Sequence, residues 1–364
     1  MDASYPVYTP PLYAILIALG ESLFSDEQLP IKIFQILLDS CTGIIIYVIA
    51  RDCLGDRIGM FSGFGWALYP FAIYATLYIG SEAVFTFFLC LFLLMVMKGI
   101  RYEAWQYYLG AGAALGVATL VRGTTQFLLV FLLAVLIISH RYFQGSIMRG
   151  YVLVLLSFAI VLAPWAIRNY FVLHEFVPVA TAGSVLLQGS SDEFLTIEHK
   201  ERYPEYYERL KQRGIQKPSD GIGPVDMDRF LMRVGIENYK MRMETQPFSL
   251  VPFMVKKFLR LWYSTESGNN EWMIISINSI IYVPALFGLV LAWKKREQYL
   301  WLVAPIILYF IFLHWITLPL FRYMLPVMPL VIVFAGIAVL KLSEEVFGKT
   351  QACSNTGEYL SGKE

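Results

Sequence analysis

Apolar residues run through this chain in long blocks, each closed by a short polar turn, and the alternation expected of half-buried strands is absent. A helix of about 20 apolar residues is long enough to cross a hydrocarbon core. The blocks predict crossings at residues 33–50, 58–78, 83–97, 107–121, 126–139 and 151–167. After a polar interval they predict three more, at 273–293, 299–315 and 324–342. The first apolar stretch, residues 11–24, is short and carries Glu21, which predicts a helix at the outer interface. The fold class that follows is an all-α polytopic membrane protein of about nine transmembrane helices. An outer interfacial helix and a small extracytoplasmic subdomain complete it.

Basic residues set the direction. Arg51 and Arg57, Lys98 and Arg101, Arg141 and Arg149, the Lys294-Lys295-Arg296 triplet and Lys341 all fall in alternate connections. Positively charged loops stay on the cytosolic side, so the intervening connections face outward. Those outer connections hold few basic residues, and Arg122 and Arg322 stand out as exceptions. Four regions result: an N-terminal transmembrane bundle with its interfacial helix (1–167), an extracytoplasmic loop subdomain (168–272), C-terminal transmembrane helices (273–345) and a disordered cytosolic tail (346–364). Within the second region, Lys217-Pro218-Ser219-Asp220-Gly221 signals a turn. Residues 247–262 mix apolar positions with Lys256, Lys257 and Arg260, the composition of a helix lying on the membrane surface. An odd number of crossings leaves Met1 outside with no cleavable signal before it, so one further crossing ahead of Met1 is expected.

Composition narrows the class. The 364 residues are 57% hydrophobic and only 16% charged, against roughly 25% charged in soluble domains. A net charge of +1 gives no nucleic-acid footprint. The four cysteines (Cys41, Cys53, Cys90, Cys353) have no metal-ligand spacing, and neither do His140, His174, His199 and His314, so no histidine metal site is expected. No internal repeat supports an inverted-repeat transporter.

Charged groups at membrane depth are costly and each has two readings. Glu82, after Ser81 at an outer helix mouth, is either a carboxylate facing an outer cavity or a first-turn acid favoured by the helix dipole, with Ser81 as cap. Arg122 and Arg322 are either phosphate ligands or arginines snorkelling to lipid headgroups. Arg322 precedes Tyr323 and the prolines Pro326 and Pro329. Asp39 lies within a crossing and needs a polar partner, whereas Asp56 sits beside Arg57 and Arg51 in a cytosolic loop. Gly59/Gly63 and Gly112/Gly116 have the spacing of close helix contacts.

Several motifs occur in a recognisable order. Ala163-Pro164-Trp165-Ala166-Ile167-Arg168-Asn169-Tyr170 is followed by Phe176-Val177-Pro178-Val179. Before it come Tyr8-Thr9-Pro10-Pro11-Leu12-Tyr13, Ala50-Arg51 through Gly55-Asp56-Arg57, Ser81-Glu82 and Leu120-Val121-Arg122; after it comes Phe321-Arg322-Tyr323-Met324-Leu325-Pro326. Together they resemble the GT-C superfamily of membrane glycosyltransferases, in its protein O-mannosyltransferase and aminoarabinose-transferase-like branch. The resemblance implies transfer of a sugar from a polyprenyl-phosphate donor to an acceptor on the extracytoplasmic face of a bacterial or archaeal cell membrane. By carry-over, Glu82 is the catalytic-site acid, and Arg122, Arg322 and Tyr323 bind substrate. The implied partners are the polyprenyl-phosphate-sugar donor, membrane lipids and an acceptor the sequence does not name. A divalent metal remains open as cofactor, with no metal ligand assigned.

Three departures accompany the resemblance. The family's acidic pair lies upstream of the segment beginning at Tyr8, where this chain has only Met1–Val7 with Asp2. Gly123 stands where proline is usual, and Gly189-Ser190-Ser191 replaces a common Gly-Asn-Asn. On these grounds the chain as written is expected to be an inactive carrier-binding body lacking a first helix. A transporter or flippase using the same outer cavity, or a non-catalytic paralogue, are the alternatives.

Overall fold

A computed structural model describes residues 9–23, 28–138, 145–190, 208, 211–212, 223–295 and 298–358. Asp2, the turn at 217–221, Ser191, His140 and His199 lie outside the described residues. Every regular element among the described residues is helical. In chain order the helices are α1 (Pro11–Leu23), α2 (Leu29–Leu54), α3 (Asp56–Ala67), α4 (Pro70–Leu77), α5 (Glu82–Tyr102), α6 (Trp105–Val121) and α7 (Leu128–Ile138). Then come α8 (Gly145–Leu173), α9 (Gly183–Ser190), α10 (Pro224–Thr245), α11 (Pro247–Arg260), α12 (Glu271–Lys295) and α13 (Gln298–Ile316). The short α14 (Phe321–Met324) leads through a 3₁₀ turn into α15 (Met328–Glu358), which continues into the polar stretch from residue 346 that composition assigned to a tail.

Among the described residues, five helices are long and apolar enough to cross a membrane: Leu29–Leu54, Glu82–Tyr102, Ile147–Leu173, Glu271–Lys295 and Phe321–Ser343. The other expected crossings correspond to shorter or broken helices. The block at 58–78 divides at Tyr69, which is extended (φ −70°, ψ 115°) because the following Pro70 disfavours helical backbone before it. Pro70 then opens α4, where its missing N–H costs nothing. The broken backbone lets Tyr69 turn inward, and its hydroxyl donates to Asn278 Oδ1 at 2.7 Å.

Two spans form the centre. Within the apolar windows, 83% of Phe321–Ser343 and 56% of Glu82–Tyr102 are buried, against 22% for the spans at 147–173 and 271–295. The peripheral helices turn large apolar side chains outward, among them Ile160, Ile280 and Val283. Such a surface is stable against lipid, where association depends on close packing and internal hydrogen bonding. Close packing uses the predicted glycines: a Cβ on Gly112 would stand 2.2 Å from the Val154 carbonyl oxygen, so α6 touches α8 backbone to backbone. Asp39 has the polar partner its depth demands, accepting from Trp66 Nε1 at 3.1 Å. Asp56 accepts from the Tyr47 hydroxyl at 2.9 Å, and Arg51 bonds Asp52.

The motif at 163–179 closes on itself. Trp165 Nε1 donates to the Val179 carbonyl, and Asn169 Nδ2 donates to that of Val177. These bonds fold the chain leaving α8 back along its last two turns.

The basic helix α11 exposes Lys256 and turns its other two basic residues inward. Lys257 and Arg260 are buried, and Phe248, Val251, Val255 and Leu259 form an exposed apolar stripe. An apolar outer face suits a helix against lipid.

Candidate functional site

Local chain geometry delivers each side chain of the site. Helix α5 starts at Glu82, with Ser81 in the cap position but making no side-chain cap bond. The backbone before it is held by Gln35, whose Nε2 donates to the carbonyls of Thr76 and Tyr78 at 3.2 and 3.0 Å. Gln35 Oε1 in turn accepts from the Tyr13 hydroxyl at 2.6 Å, tying α1 to the same corner. Arg122 ends α6 in extended conformation, its N–H bonded to the Ala118 carbonyl. The turn after it is fixed by a Thr119–Thr125 hydroxyl pair and by the Tyr309 hydroxyl donating to the Thr124 carbonyl. Arg322 and Tyr323 lie on α14.

These corners meet. Arg122 Nη1 stands 3.0 Å from Glu82 Oε1, with side chains 13% and 6% exposed. The Arg122 guanidinium lies 4.8 Å from the centre of the Tyr323 ring, and that of Arg322 lies 5.0 Å from it. Arg322 Nη2 reaches the Tyr323 hydroxyl at 3.3 Å, and Nη1 pairs with Glu266 at 2.8 Å. All four residues singled out from the sequence therefore belong to one cluster. The anionic partner that Arg122 requires is the Glu82 carboxylate, forty residues earlier. Glu82 is accordingly more than a first-turn acid.

Sequence reasoning missed three neighbours. Glu266 sits in a polar connection that offers no motif. His314 has no ligand spacing, yet its ring stacks on Tyr323 with centroids 4.8 Å apart, and neither ring nitrogen has a partner among the described residues. Lys257, read as one of several surface charges, is fully buried. Its ammonium contacts the carbonyls of Gly189, Ile316 and Thr317 and the Tyr239 hydroxyl, all at 2.6–2.7 Å. These carbonyls close α9 and α13, where helix ends carry partial negative charge. Burial nevertheless pushes the Lys257 amine down to about 7. The residue anchors the α9–α11 layer to the segment that leads into α14. Gly189 is required there, because a Cβ on it would lie 1.7 Å from the Thr317 carbonyl oxygen.

Among the described residues no group of three or more histidine, cysteine, aspartate or glutamate side chains is arranged to hold a metal ion. The chemistry on offer is two guanidinium groups, a phenol and two carboxylates. One ion pair is buried and the other half-exposed.

Residues 8–167 match the family of dolichyl-phosphate-mannose-protein mannosyltransferases. Glu82 and Arg122 lie inside the matched stretch; Arg322 and Tyr323 lie beyond it. No curated protein matches the chain. Among solved structures it is similar to ArnT from Cupriavidus metallidurans in the apo state, at 15% identity and a TM-score of 0.38, covering 91% of this chain and 67% of that one. The same protein bound to undecaprenyl phosphate matches at 14% identity and a TM-score of 0.38, covering 92% and 68%. The family match takes in a little under half of this membrane protein, and over residues 8–167 the chain is similar to the dolichyl-phosphate-mannose-protein mannosyltransferases, a family of GT-C membrane glycosyltransferases.

Proposed function

We propose that the protein transfers a sugar from a polyprenyl-phosphate donor to an acceptor on the extracytoplasmic side of the membrane. The observation that carries this reading is the convergence of Glu82, Arg122, Arg322 and Tyr323, from three separate chain segments, at one end of the bundle. The matched family takes its sugar from a lipid phosphate, and the positive-inside pattern supports an outward-facing site.

The four side chains divide the work. As the bond between sugar and phosphate breaks, negative charge grows on the lipid phosphate, and a prepositioned guanidinium stabilises that charge. Arg322 suits this role: it is 46% exposed, its planar fork matches a phosphate, and the Tyr323 hydroxyl adds a donor beside it. Arg122 is committed to Glu82 and works one layer behind, holding the Tyr323 ring through its cation–π contact. Glu82, its side chain only 6% exposed, serves by fixing Arg122.

The reading is tested by supplying the purified protein in lipid nanodiscs with polyprenyl-phosphate-linked sugars and a membrane extract as acceptor source. Release of free polyprenyl phosphate is followed by mass spectrometry. With the upstream helix and acidic loop that the resemblance implies supplied ahead of Met1, one donor is expected to be consumed, and Glu82→Gln and Arg322→Ala each slow turnover at least about tenfold, roughly 1.4 kcal/mol of barrier. Consumption of no donor, or full rates in both variants, contradicts the proposal.

A further inference from the structure

The two arginines of the site differ in what holds them, and the difference bears on donor binding. The Arg122–Glu82 pair is buried, so separating it leaves an uncompensated charge. The Arg322–Glu266 pair is about half-exposed on both sides, where ion pairs are weak and readily exchanged. Yet Glu266 is no freely swinging side chain. Its connection between α11 and α12 is bonded into the site: the Phe321 N–H donates to the Ser264 carbonyl at 2.9 Å, the Thr265 N–H donates to Glu271 Oε1 at 3.1 Å, and the Thr265 hydroxyl donates to the Asn269 carbonyl. The backbone thus presents one carboxylate to the one well-exposed guanidinium of the cluster.

We infer that Glu266 and the donor's phosphate compete for Arg322, so that Glu266 sets how tightly the site takes a polyprenyl phosphate. This rests on the donor reading above. A carboxylate and a phosphate oxygen make the same contact with a guanidinium, so exchange keeps the Arg322 charge compensated throughout. Because the Glu266 connection is fixed near the site, its carboxylate also stays close to the arriving phosphate and repels it. Each effect weakens binding, and removal of the carboxylate's charge relieves both. Glu266 is therefore a specificity-setting residue whose loss is expected to improve binding.

The test measures binding of undecaprenyl phosphate to the full chain in nanodiscs of zwitterionic lipid, by native mass spectrometry. Glu266→Gln should tighten the Kd by about two- to fivefold, the range that loss of an exposed ion pair allows. Arg322→Ala should weaken it at least about tenfold. Glu175→Gln, which removes a carboxylate paired with Arg229 outside the cluster, should leave it unchanged. Undecaprenol, which lacks the phosphate, should respond to none of the three. Unchanged or weaker binding in Glu266→Gln, with the unaltered protein binding normally, overturns this inference alone. An equal gain in Glu175→Gln also overturns it, since the effect is then one of net charge. Failure of the unaltered protein and of Glu266→Gln to bind at all overturns the donor reading with it.

Discussion

The Arg122 guanidinium and the Glu82 carboxylate form an ion pair at 3.0 Å that solvent scarcely touches. It joins the end of α6 to the start of α5 and supports the Tyr323 ring from behind. Removing one member of a buried pair leaves the other charge unpaired, at a cost of about 3–5 kcal/mol. Arg122→Leu is therefore expected to lower the unfolding midpoint in detergent more than the double variant Glu82→Leu/Arg122→Leu does. Equal losses in the two would show that the pair contributes little to the site.

Lys257 predicts a pH dependence of defined sign. Burial lowers its folded pKa to about 7 from the ordinary 10.5. Between those values the unfolded chain binds the proton and the folded one does not, so this group's contribution to stability improves as pH rises from about 7 to 10.5. Below pH 7 the amine is charged in both states and the desolvation cost is present in full. The stability difference between the unaltered protein and Lys257→Met should accordingly widen from pH 7 to pH 9.5 in thermal unfolding. A difference that narrows over this window contradicts the assignment.

Lys257→Met should also be destabilising at every pH, because three helix-end carbonyls lose a buried donor. Each unsatisfied buried polar group costs about 1–3 kcal/mol. Differential scanning fluorimetry measures the loss, and a midpoint within a degree of the unaltered protein counts against the anchor.

Gly189→Ala tests the neighbouring contact. With the Thr317 carbonyl oxygen only 1.7 Å from where the added methyl carbon would stand, the α9 backbone must move. Overpacking of this kind costs about 1–3 kcal/mol. Gly110→Ala is the control, since the nearest atom there is Met95 Sδ at an ordinary 3.6 Å. Comparable midpoints for the two variants would remove the need for glycine at 189.

The membrane-spanning character was legible because it depends on composition over long windows, whereas the alternating arginines and lysines gave only an expected direction. The break at Tyr69 was also written in the chain, since Pro70 restrains the residue before it, but the apolar run masked that local signal. Arg122 was recognisable as anomalous because it falls in a connection that the basic-residue pattern assigns to the outer side. Its partner was not, because charge excess alone does not distinguish a phosphate from a carboxylate forty residues away. Composition placed α11 at the membrane surface but did not show which of its basic residues turn inward: Lys257 and Arg260 are buried and Lys256 is exposed. Glu266 and His314 carry no local pattern, and only the meeting of α13, α14 and the 264–270 connection gives them a place.

Binding of undecaprenyl phosphate to the unaltered protein and to Arg322→Ala, measured side by side in zwitterionic nanodiscs, tests the central claim most directly. The cluster at Glu82, Arg122, Arg322 and Tyr323 predicts saturable binding that weakens at least about tenfold in Arg322→Ala, a difference of roughly 1.4 kcal/mol. Equal affinity in the two proteins would contradict it.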